Sequence, residues 1–86
     1  MKTLTDLLEL VNKAIEQTDK GDLHEQTLYH VFFVDFSGHV NQLDIRYYSI
    51  YNSKSDNNHF RRCKGYLNNE EQIQELYWFL KNRLKG

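Results

Sequence analysis

Between Thr27 and Tyr51 the apolar and polar positions form two strand-like runs, separated by Ser37-Gly38-His39. The first run, Thr27 to Phe36, is apolar on both faces. Leu28, Phe32, Val34 and Phe36 fall on one side, and Tyr29, Val31 and Phe33 on the other. Such a strand needs cover on two sides. The second run, Val40 to Tyr51, alternates more cleanly. Leu43, Ile45 and Tyr47 share one face; Gln42, Asp44, Arg46 and Tyr48 share the other. Gly38 takes positive φ without steric cost, so the pattern predicts a tight hairpin turn at Ser37-Gly38-His39.

Helical periodicity lies on either side of this hairpin. From Thr3 to about Thr18, the residues Leu4, Leu7, Leu8, Val11, Ala14 and Ile15 make one apolar stripe. Thr3 with Asp6 has the form of a capping box, and Gly21 suits a left-handed stop after Thr18-Asp19-Lys20. Asp22 to Gln26 reads as a polar connection. Asn52 to Asn58 (NSKSDNN) has no apolar residue and favours local side-chain to backbone bonds, so it is a loop. His59 to Tyr66 reads as a third strand, charged enough to be an edge. Asn68 or Asn69 then caps a second helix, with Glu70 and Glu71 in its first turn. Ile73, Leu76, Tyr77, Leu80 and Leu84 form its inward stripe, and Trp78 and Phe79 widen it.

The element order is α-β-β-β-α, with connections short enough for a meander whose second strand is central. Two amphipathic helices have one surface to cover, a face of the sheet. The expected fold is α+β: a two-layer domain over residues 1–86, with a three-stranded antiparallel meander covered on one face by two helices.

Size, charge and cysteine usage narrow the classes. A chain of 86 residues buries roughly 60–65% of its unfolded surface, which makes a thin core. One cysteine, Cys63, forms no internal disulfide, which points to a reducing, cytosolic setting. Glu9 interrupts the apolar residues near the N-terminus, so no signal peptide is expected there, and no stretch approaches the ~20 apolar residues of a membrane span. The net charge is −1. The first helix is acidic, but Lys13 interrupts Asp6, Glu9, Glu16 and Asp19, which reads as a solvated face rather than a mimic of nucleic acid.

Candidate chemistry is sparse. His24, His30, His39, His59 and Cys63 show no metal-ligand spacing, and no CxxC or HExxH occurs. His59 and Cys63 fall on one strand face, but two ligands do not make a zinc site. Arg61, Arg62 and Lys64 would favour a thiolate at Cys63, yet no ordered acid–base or nucleophilic constellation can be named. The four glycines are too far apart for a phosphate-cradling loop. No enzymatic activity, no metal and no cofactor is therefore expected. The α-β-β-β-α order matches that of the double-stranded-RNA-binding domain. That family places a lysine cluster where this chain has Asn69, Glu70, Glu71 and Gln72, so the likeness ends at topology.

The segment FVDFSGHVNQLDIRYY, followed by NNEEQIQELYWFLKNRL, resembles small uncharacterised accessory proteins encoded by phages and prophages. The resemblance implies a protein that acts in a bacterial cytoplasm by binding, with anti-CRISPR-like inhibition of a host complex among the roles of proteins of this size. No residue roles carry over, because no motif defines that group.

The leading expectation is a non-enzymatic protein that binds a host protein or a second copy of itself, as a homodimer, through the sheet face left open by the helices. Its candidate contact residues are Tyr29, Val31, Phe33, Arg46, Tyr48 and Arg61. The competing reading is a single-stranded nucleic-acid binder using Arg46, Arg61, Arg62 and Lys64 beside the sheet aromatics. No membrane contact is expected.

Overall fold

The computed structural model describes residues 1–21 and 26–85. It has two helices and a three-stranded antiparallel sheet in the order α-β-β-β-α, an α+β fold. The elements are α1 (Leu4–Gln17), β1 (Thr27–Ser37), β2 (Gln42–Asn52), β3 (Arg61–Tyr66) and α2 (Glu70–Lys81), and β2 is central. Most of the polar connection expected from Asp22 to Gln26, and His24 within it, lies outside the described residues.

Helix α1 starts where its capping box places it. Thr3 Oγ1 accepts from the Asp6 N–H at 3.2 Å, and the Asp6 carboxylate accepts from the Thr3 N–H at 2.8 Å. The helix stops earlier than Gly21. Thr18 is the C-cap in extended conformation, and Gly21, at φ 59°, sits in a separate turn held by the Asp19 carboxylate. The buried face of α1 is Leu7, Leu10 and Ala14. Its apolar arc spans roughly 160° at 100° per residue. The sheet and α2 cover only half of that arc, so Leu4, Leu8 and Ile15 remain exposed.

Asn69 caps α2 by accepting from the Gln72 N–H at 3.1 Å. Ile73, Leu76, Tyr77 and Leu80 are buried against Leu43, Ile45 and Phe32. The helices thus cover the face of Leu43, Ile45 and Tyr47 and, on β1, that of Phe32 and Val34. Gly65 on β3 is buried, and a Cβ there would lie 3.0 Å from Gln72 Cβ and 3.2 Å from Leu76 Cδ1. The absence of a side chain is what lets α2 approach β3, rather than any irregularity in the strand.

The hairpin differs from the expected tight turn. Gly38 to Val40 form a 3₁₀ turn, and the left-handed residue is Asn41 (φ 55°, ψ 38°), not Gly38. Asparagine tolerates that region because its short amide bonds locally. The third strand begins at Arg61 rather than His59, since the β2–β3 pairing ends at Tyr47 and Arg61.

Candidate partner-binding face

Neither helix covers the outer face of the sheet. Two zones divide it along the strands. At the hairpin end it is ionic. Arg62 donates from both Nε and Nη2 to the Asp44 carboxylate, with Nε 2.9 Å from Oδ1. Arg46 reaches Asp35 at 3.4 Å. Asp35 and Asp44 are direct cross-strand partners, so the two arginines offset a like-charge pair. Hydrogen bonding from Arg62 holds the Asp44 carboxyl below the usual range, with the guanidinium charge adding to it.

At the other end the face is aromatic. The Tyr48 ring lies 5.2 Å from Phe33, 5.1 Å from Tyr51 and 5.2 Å from Phe60, centroid to centroid. Phe33 also meets Tyr51 at 5.3 Å, and the Arg46 guanidinium sits 5.2 Å from the Phe33 centroid. These rings close over Tyr48, which is only 6% exposed; its cross-strand partner Val31 is 4% exposed. The outer face is therefore not an open apolar sheet surface. It is a ring cluster whose rim, Phe60 above all, meets solvent.

Of the six expected contact residues, Val31, Phe33, Arg46 and Tyr48 come together here. Tyr29 does not share their face. His30 adopts φ 59°, and the β1–β2 pairing skips His30 and Ser49 while keeping register on both sides. Strict alternation ends at that point. Tyr51, three residues from Tyr48, consequently joins the outer cluster, whereas Tyr29 is exposed and makes no ring contact with it. Arg61 also lies elsewhere. It pairs with Tyr47, which packs under the helices, so Arg61 projects on the helix side. Tyr51 was missed because alternation assigns it to the opposite face; Phe60 lies within the third strand expected from His59 to Tyr66 and was not singled out.

The His30 distortion is held by the end of α1. Asp19 donates its N–H to His30 O, its carboxylate accepts from the Tyr29 N–H at 3.0 Å, and Thr18 Oγ1 accepts from the Phe32 N–H at 3.2 Å. Backbone groups of an edge strand are thus satisfied within the chain. The hydrogen bonds from Tyr29 and then Gly21 lower the Asp19 carboxyl pKa.

Cys63 is half-buried on the helix side, and burial pushes its thiol up, with Glu75 adding to the effect and Arg83 opposing it. That direction is the reverse of nucleophile activation. Among the described residues no group of three His, Cys, Asp or Glu side chains could hold a metal ion, and no helix is long and apolar enough to cross a membrane. No family model, no curated protein and no solved structure matches the chain.

Proposed function

We propose that the protein is a non-enzymatic binding module that acts by protein–protein contact through the aromatic end of its outer sheet face. One observation carries the reading: Phe33, Tyr48, Tyr51 and Phe60 are locked against one another by ring contacts on a face that no helix covers. Tyrosine and arginine beside buried rings are the composition of interface hot spots. Rings already held by their neighbours lose little side-chain freedom on binding. Following the resemblance of the hairpin, the setting is that of a phage or prophage accessory protein in a bacterial cytoplasm, and the partner is a host protein or a second copy of the chain.

The nucleic-acid reading has less support. Arg46 and Arg62 are engaged by Asp35 and Asp44, and Arg61 projects on the other face. Lys64 is the remaining cation of that set on the outer face.

The test is a comparison of Phe33→Lys and Phe60→Ser with Tyr29→Ser, an exposed change outside the cluster. Sedimentation equilibrium over a concentration range reads self-association, and cross-linking in a bacterial host reads a heterologous partner. Both cluster variants should lose the contact and Tyr29→Ser should keep it. Equal behaviour of all three variants would remove the outer face from the proposal.

A further inference from the structure

On the helix side, beyond the C-terminal end of α2, a cleft of about 360 Å³ is lined by Tyr47, Ser49, His59, Phe60, Arg61 and Arg83. Among the described residues no carboxylate lines it, and it brings together two arginines, the hydroxyl-bearing Tyr47 and Ser49, and the imidazole of His59. Neither arginine forms an ion pair among the described residues; Glu75, whose charge acts on Cys63 in the opposite sense to that of Arg83, makes none with Arg83.

Arg83 is placed rather than loose. Its Nη1 donates to Phe79 O at 2.9 Å, and its guanidinium carbon lies 3.9 Å from the Phe79 ring centroid. The residue is half-buried, and among the described residues its guanidinium meets no anion. A guanidinium held against a ring with most of its donors unspent matches the oxygens of a phosphate group, and a second arginine strengthens the match. Ser49 falls where the β1–β2 ladder is interrupted, and its hydroxyl forms no hydrogen bond among the described residues. The cleft volume lies within the range of small-ligand pockets and exceeds what a bare phosphate fills. Phe60, 47% exposed, supplies a ring wall.

We infer that this cleft is a binding site for a phosphate group, free or carried on a small molecule, gripped by Arg61 and Arg83 with Ser49 and His59 as further polar contacts. The site is distinct from the outer face, and Phe60 is the residue common to both.

The experiment is a titration of ¹⁵N-labelled full chain with inorganic phosphate and with adenosine monophosphate, at constant ionic strength set by chloride. Backbone signals of Ser49, His59, Phe60 and Arg61 and the Arg83 side-chain Nε–H are followed. Saturable shifts confined to these signals are expected. Arg61→Gln and Ser49→Ala, both at exposed positions, should weaken binding, the arginine change at least tenfold. Arg62→Gln, on the other face, should leave it unchanged. A gain of about tenfold for the nucleotide over phosphate, the size of one stacked ring, would assign a ring-bearing phosphate. Equal affinities would assign the free anion. Shifts that do not saturate, that chloride alone reproduces, or that Arg62→Gln reduces as much as Arg61→Gln, would overturn the assignment.

Discussion

The Nδ1 of His30 lies 3.0 Å from the Tyr47 hydroxyl, and the direction of that hydrogen bond is set from the far side of the ring. Gln17 is oriented by the backbone of Lys85: its Nε2 donates to Lys85 O and its Oε1 accepts from the Lys85 N–H. Gln17 Oε1 also faces His30 Nε2 at 3.3 Å, so Nε2 carries the proton. In the neutral ring Nδ1 is then the acceptor, and Tyr47 donates to it. This relay joins α1, β1, β2 and the C-terminal segment at the one residue where β1 leaves regular geometry.

Tyr47→Phe should remove that donor and leave Nδ1 buried without a partner. The expected cost is about 1–3 kcal/mol. Urea denaturation checks it through a lower midpoint at unchanged slope. An unaltered midpoint would show that the hydroxyl contributes nothing to the relay.

Burial, with a smaller effect from Lys85, lowers the His30 pKa below its ordinary 6.5. The unfolded chain therefore binds the proton more readily than the folded one, and stability rises with pH across the interval. The contribution is fully present above about 6.5 and is lost as the pH falls through the lowered folded value. Stability measured from pH 8 down to 5 should decline in the wild type and less steeply in His30→Gln. Parallel curves would assign the decline to other groups. The lowered carboxyls of Asp6, Asp19 and Asp44 act only at more acid pH, below their ordinary 3.8.

Leu76 and Leu8 test the two halves of the apolar pattern. Leu76 is fully buried and Leu8 is 49% exposed. Leu76→Ala should cost about 2–5 kcal/mol, whereas Leu8→Ala should stay within about 1 kcal/mol for the monomer. A loss below half of the lower figure at Leu76, by thermal or urea unfolding, would mean that α2 docks by another face.

Gly65→Ala should destabilise by about 1–3 kcal/mol, because the new methyl meets Gln72 Cβ and Leu76 Cδ1 within 3.2 Å. Combining it with Leu76→Ala should recover part of that loss, since the two changes share one space. Strictly additive costs in the double-mutant cycle would refute the shared contact.

Cys63→Ser should leave partner binding intact, and the wild-type thiol should react slowly with an aromatic disulfide reagent until the chain unfolds. Burial raises the thiol pKa, so little thiolate is present at neutral pH. Rapid labelling of folded protein would contradict this.

Local patterns determine much of this molecule. The capping box at Thr3 and Asp6, the Asn69 cap, the side-chain bonding within Asn52–Asn58 and the element order all depend on neighbours a few residues apart. The central position of β2 and the burial of Leu43 and Ile45 follow from alternation and short connections. Other features needed the assembled chain. Alternation runs through His30 without a mark, because the positive φ there is imposed by Thr18 and Asp19 from the end of α1. That single distortion sends Tyr29 away from Val31 and Phe33 and brings Tyr51 in. The α1 arc was legible as apolar, but only the position of α2 decides that Leu7, Leu10 and Ala14 are covered and Leu4, Leu8 and Ile15 are not. Arg61 and Arg83, twenty-two residues apart in sequence, line one cleft because β3 and the end of α2 meet at the same corner of the fold. Burial and charge pairing between distant residues depend on where the backbone places them, and no local period carries that information.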